Sequence, residues 1–231
     1  MTGLFSSEHL VTLAVLALSV LGAVVSARRF PGLWIEAGCR TLAIVLVAAE
    51  LGWWAYLLSR GIRAFDLADA LPLQICDITV LIAALALWLR RPVLVELTYF
   101  WALAGSAQAL LTPDLPQHFP TFLFFQYYVV HGGEVMAALV LVIGLRQPPR
   151  RLAIVRVAMI TIGYTALVGL VDAVTGANYM YLRAKPPSPT PLDLLGAWPW
   201  YLAPAAVIGA VLFLVLDLPF RRQGRAEDGT A

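Results

Sequence analysis

The run LVTLAVLALSVLGAVVSA, from Leu10 to Ala27, has no charged residue over eighteen positions and ends against Arg28 and Arg29. Hydrocarbon offers no water to satisfy an exposed backbone, so a helix crosses a bilayer with about 20 mostly apolar residues. A cleaved secretory leader carries basic residues ahead of its apolar core. Here none precedes Leu10 and two follow Ala27, so the run reads as a true span.

The same ruler, moved along the chain, finds six more spans. They are Thr41 to Leu58, Leu71 to Leu89, Val93 to Leu111, Thr121 to Leu145, Leu152 to Val174 and Trp198 to Leu218. Of the 231 residues, 61% are hydrophobic and 13% charged, against about 25% charged in ordinary soluble domains. A water-soluble globule is thereby excluded. A net charge of +2 leaves no basic stripe to pair with phosphates, so no nucleic-acid partner is expected. The expected fold is all-α: a polytopic integral membrane protein, a seven-transmembrane-helix bundle. It forms one domain over residues 1–220, with a disordered polar tail over 221–231.

Basic residues choose the orientation, because cytoplasmic segments carry the excess of Lys and Arg. With the N-terminus outside and the C-terminus cytoplasmic, twelve of the sixteen Lys and Arg lie inside, among them Arg28, Arg29, Arg90, Arg91, Arg150 and Arg221. Arg60, Arg63, Arg183 and Lys185 remain outside. Of the outer loops, residues 112–120 hold three prolines and form a stiff turn. Residues 175–197 hold Pro186, Pro187, Pro189 and Pro191 and are expected to be extended. Tyr179, Tyr181, Trp198, Trp200 and Tyr201 suit the outer headgroup belt.

Ionisable groups inside a membrane cost several kcal/mol and by default mark function. Glu96, Arg156 and Asp217 lie near cytoplasmic ends and are expected to snorkel; Asp172 lies near the outer end of span six. Glu50, Asp77, His131 and Glu134 remain, with the neutral polar Gln74, Cys76, Gln108 and Gln126. At helical rise, Cys76 lies about 8 Å below the outer surface, Glu50 about 12 Å and His131 about 15 Å. Spans two to five thus converge polar groups in the outer half, as the walls of a wet cavity would. Tyr127, His131 and Glu134, at i, i+4 and i+7, share one face of span five. Ala102, Gly105, Ser106 and Ala109 keep span four small enough for a neighbouring helix to approach closely.

The two cysteines fall on opposite sides of the bilayer, Cys39 inside and Cys76 outside, too far apart for a disulfide. Three chemistries fit the rest. Cys76 can act as a nucleophile with His131 as its base, since a cysteine attacks an ester carbonyl only as thiolate and needs a proton acceptor. Cys76, Asp77, His131 and Glu134 can ligate zinc in principle, although no compact ligand motif supports a metal. Cys76 also reads as a small core residue and His131 as a satisfied intramembrane histidine. His9 and His118 are expected to be solvated. No GxSxG sequence supports a serine nucleophile.

The strings LPLQICDIT (71–79), QALLTPDL (108–115), FQYYVVHGG (125–133), NYMYL (178–182) and WPWY (198–201) resemble, in the same order, the YwaF-like family of bacterial integral membrane proteins. That family is related to the transmembrane protein 164 family. Eukaryotic members of the latter are phospholipid acyltransferases that use a cysteine acyl intermediate. The resemblance puts the cysteine on Cys76 and the histidine on His131. It implies a phospholipid/lysophospholipid acyltransferase with a thioester intermediate, no cofactor, a phospholipid or lysophospholipid substrate, and a bacterial cell membrane. In that reading Glu134 or Tyr127 orients the imidazole, and Gln74, Gln108 or Asn178 donates to the oxyanion. Asp77 and Glu50 complete the polar lining. Many bacterial relatives carry histidine two positions before the cysteine; Gln74, in that place here, hydrogen-bonds but is no base. The alternative is a non-enzymatic solute transporter or receptor-like protein in which Glu50, Asp77 and His131 bind solute or relay protons.

Overall fold

The computed structural model describes residues 6–60, 71–113, 115, 118–186 and 190–227. Among these every regular element is helical. Six helices are long and apolar enough to cross a membrane: α1 (Ser7–Arg29), α2 (Leu33–Ser59), α4 (Pro92–Leu111), α5 (Phe122–Gly144), α6 (Ala153–Thr175) and the Leu202–Arg221 stretch of α7 (Leu202–Glu227). A seventh, α3 (Ile75–Leu89), is apolar but shorter. The chain is a polytopic, multi-pass membrane protein.

The helices fall into two compact units, the first from Met1–Tyr56 and Cys76–Arg150, the second from Leu57–Ile75 and Arg151–Ala231. In the first, α5 packs against α1, α2 and α4, and three glycines set how closely. A Cβ on Gly132 would lie 2.7 Å from Leu16 of α1, one on Gly133 2.8 Å from Leu46 of α2, and one on Gly144 2.9 Å from Ala27 of α1. Within hydrocarbon, helices associate by such close packing rather than by a hydrophobic drive. Both α4 and α5 contain a π-helical turn, at Ala102–Ser106 and Val140–Gly144. Each turn shifts the phase of the residues that follow it.

Several ends differ from the sequence expectation. α2 starts at Leu33 rather than Thr41, its first turns carrying the Glu36–Arg40 pair at 3.1 Å. Arg90 at the end of α3 meets the same Glu36 at 2.8 Å. α7 continues past Arg221 to Glu227, in residues expected to belong to the polar tail. Glu96 does not snorkel. It is buried, and the Arg150 backbone N–H and guanidinium both donate to its carboxylate, the closest contact at 2.9 Å. Asp217 pairs with Arg221 one turn on, at 2.6 Å.

In the second unit the loop after α6 is wound rather than extended as expected. Asp172, fully buried, accepts the Tyr179 N–H at 3.0 Å, and Asn178 Oδ1 accepts from Arg183 and Ala184. These acceptors satisfy backbone donors that an extended loop would leave to water, and 3-10 turns form at Tyr179–Tyr181 and Pro191–Leu195. Residues 187–189 lie outside the described part. Tyr179 and Tyr201 are buried in this loop rather than set in a headgroup belt, and the Tyr201 hydroxyl donates to the Tyr181 carbonyl. Trp198 and Trp200 are exposed.

Candidate functional site

The residues singled out by the sequence divide between the two units. Cys76, Asp77, Glu50, Gln108, Tyr127, His131 and Glu134 belong to the first; Gln74 and Asn178 belong to the second.

His131 is held by its own helix. Its Nδ1 lies 2.8 Å from the Tyr127 backbone carbonyl, and the Tyr127 ring lies tilted beside the imidazole, centroids 4.3 Å apart. A carbonyl oxygen only accepts, so Nδ1 carries the hydrogen of the neutral ring and Nε2 presents a lone pair. The histidine is thus set in the tautomer that a base acting through Nε2 requires. Tyr127 is fixed in turn, its hydroxyl donating to the Ala109 carbonyl on α4 at 2.6 Å. Tyr127 therefore orients the imidazole through its backbone and ring, while its hydroxyl is committed to α4.

Glu134 makes no hydrogen bond to His131. Ser106, at the end of the π turn of α4, donates its hydroxyl to Glu134 Oε2. The carboxyl is fully buried, and its Oε1 has no hydrogen-bond partner. Two residues of the small stripe on span four make polar contacts with α5: Ser106 through its hydroxyl and Ala109 through its carbonyl.

Cys76 is a free thiol in the first turn of α3, partly buried. Glu134, Asp77 and Glu50 lie within electrostatic reach of it, and Glu134 likewise feels Asp77 and Glu50. Glu50 on α2, Asp77 on α3 and Glu134 on α5 are thus near enough to act on the charge of one thiol. Glu50 is buried and accepts the Trp54 indole N–H at 3.2 Å. Gln108 is exposed. Among the described residues no three His, Cys, Asp or Glu side chains converge to hold a metal ion.

In the second unit, Gln74 Oε1 accepts the Met180 N–H at 2.8 Å. The neighbouring Leu71 N–H donates to the Tyr179 hydroxyl at 2.7 Å, and the Tyr164 hydroxyl donates to the Leu73 carbonyl at 3.0 Å. The segment ahead of Cys76 is thereby pinned to the loop after α6 in a non-helical form, which is why α3 begins at Ile75 and not at Leu71. Asn178 spends both ends of its amide on that loop: besides accepting from Arg183 and Ala184, it donates to the Ala184 carbonyl at 2.9 Å. Its role here is to shape the loop.

His9 corrects another expectation. It is buried rather than solvated, with Nδ1 2.7 Å from the Tyr128 hydroxyl, and it ties the start of α1 to α5. His118 is exposed, 3.7 Å from Glu8. Sequence reading passed over Gly132 and Gly133, although a Gly-Gly pair between His131 and Glu134 signals two helices pressing on α5 at the level of the site.

A family model described as the TMEM164 family matches residues 4–217. An uncharacterized protein of Treponema pallidum (strain Nichols) is 28% identical over 158 residues, which cover 66% of this chain and 63% of that protein. The chain thus spans less than two thirds of the length of the relative it matches. No solved structure matches.

Proposed function

The chain belongs to the TMEM164 family, and on that premise we propose that it is a membrane-embedded phospholipid/lysophospholipid acyltransferase with Cys76 as nucleophile and His131 as base. The observation that carries this reading is the Tyr127 carbonyl at His131 Nδ1, which leaves Nε2 as a proton acceptor. The free thiol of Cys76, on a helix of the same unit, supplies the attacking atom.

The chemistry runs in two halves. Cys76 Sγ gives its proton to His131 Nε2 and attacks the ester carbonyl of a donor phospholipid. The C–O bond breaks, the leaving lysolipid oxygen takes the proton from Nε2, and the acyl group remains on Cys76 as a thioester. In the second half the hydroxyl of an acceptor lysolipid passes its proton to Nε2 and attacks the thioester. The C–S bond then breaks and the thiol recovers the proton. The donor is itself a lipid, so no diffusible cofactor enters.

The test is to trap the intermediate. Incubation with an acyl-labelled phospholipid should leave label on Cys76 that hydroxylamine releases and that Cys76→Ala lacks. Full lipid remodelling by Cys76→Ala would overturn the mechanism. If Glu50→Gln and Asp77→Asn abolish function while Cys76→Ala is harmless, the transporter reading takes its place.

A further inference from the structure

Between α1, α4 and α5 of the first unit runs a groove of about 500 Å³, lined from Leu13 to Val24 on α1, from Ala107 to Leu111 on α4 and from Gly132 to Ile143 on α5. Among the described residues, no polar side chain lines it. Small residues cut it: Ala17, Ala107 and Gly132, the last with Leu16 pressed against its bare Cα. Gly132 directly follows His131, and Ala107 directly follows Ser106, whose hydroxyl is bonded to Glu134. The groove and the candidate site therefore share the same turns of α4 and α5.

Its length decides what it holds. The eleven steps from Leu13 to Val24, or from Gly132 to Ile143, span about 16 Å at helical rise. One leaflet of a bilayer is about 15 Å of hydrocarbon, half of the roughly 30 Å core. A wholly apolar slot of that length, inside membrane-spanning helices, matches one lipid tail. A polar solute would find no hydrogen-bonding partner along it.

We propose that this groove is an acyl-chain binding site, holding one tail of a glycerolipid. It deepens the acyltransferase reading, on which its part in catalysis rests, but its occupancy is measured without turnover. The experiment uses the full chain in vesicles containing a phosphatidylcholine with a photoactivatable diazirine midway along one tail. Crosslinks should concentrate on the groove positions of α1 and α4, several-fold above Val15 and Leu18, which are exposed on α1 outside the groove. Ala17→Phe fills the slot from an exposed position and should remove that excess, whereas Leu18→Phe should not. In the active protein, Ala17→Phe should shift preference toward shorter acyl chains by about tenfold.

Even labelling of all lipid-facing positions, or an excess that survives Ala17→Phe, would mean ordinary boundary lipid and overturn the site. The two readings fail separately. Groove labelling without acyl-Cys76 sinks the acyl transfer and keeps the groove, whereas acyl-Cys76 without groove labelling does the reverse.

Discussion

At His131 the deciding atom is not on another side chain but on the backbone one turn earlier. The Tyr127 carbonyl selects the tautomer, so the imidazole needs no carboxylate behind it to leave Nε2 as an acceptor. On the proposed acyl-transfer mechanism, replacing His131 with Ala should lower acyl transfer by about 10²–10⁴, the usual worth of a positioned general base, and leave the fold intact; single-turnover labelling of Cys76 measures it. Glu134→Gln should cost less in the labelling step, because Glu134 contacts Ser106 rather than the imidazole. Ser106→Ala removes the hydroxyl from a carboxyl that already has one unpartnered oxygen. It should destabilise the protein by about 1 kcal/mol, the scale of interhelical hydrogen bonds in membranes, read as a lower melting temperature in detergent.

Among elements, α5 is the hub, and its glycines set the distances around it. At Gly144 a new methyl group would meet the Cβ of Ala27, which has no rotamer to move. Gly144→Val should therefore force α1 outward and cost about 1–3 kcal/mol, as overpacking does. Gly38→Ala, where nothing lies within 4 Å, is the control for helix propensity alone. The other fixed point is the Glu96–Arg150 clamp between α4 and the segment after α5. Arg150→Ala leaves a buried carboxylate short of its partner and should lower the melting temperature more than Arg146→Ala, which alters an exposed residue.

For the whole molecule, the asymmetry of Arg and Lys makes a prediction about orientation. A fluorescent reporter fused after Ala231 should fold and glow on the cytoplasmic side, and a cysteine introduced at Glu8 should react with an impermeant maleimide from outside. The opposite pattern would reverse the topology and place the Cys76 end of α3 at the inner face. If only the chemistry fails, the helices and their apolar groove still stand, because their packing does not depend on the thiol.

The membrane class and the rough limits of six long apolar helices were legible in the linear chain, with α3 the one that came out shorter than expected. Burial in hydrocarbon imposes long uncharged runs, so a polar residue within one stands out at once. The tautomer of His131, the turn of Glu134 toward Ser106, the burial of His9 and the late start of α3 were not legible. The first depends on a carbonyl one turn earlier in the same helix, and the others on partners far apart in the chain: Ser106 for Glu134, Tyr128 for His9, Met180 and Tyr164 for the start of α3. Hydropathy records how apolar a stretch is, but not which of its faces meets a neighbour; packing makes that choice, and only the tertiary structure contains it.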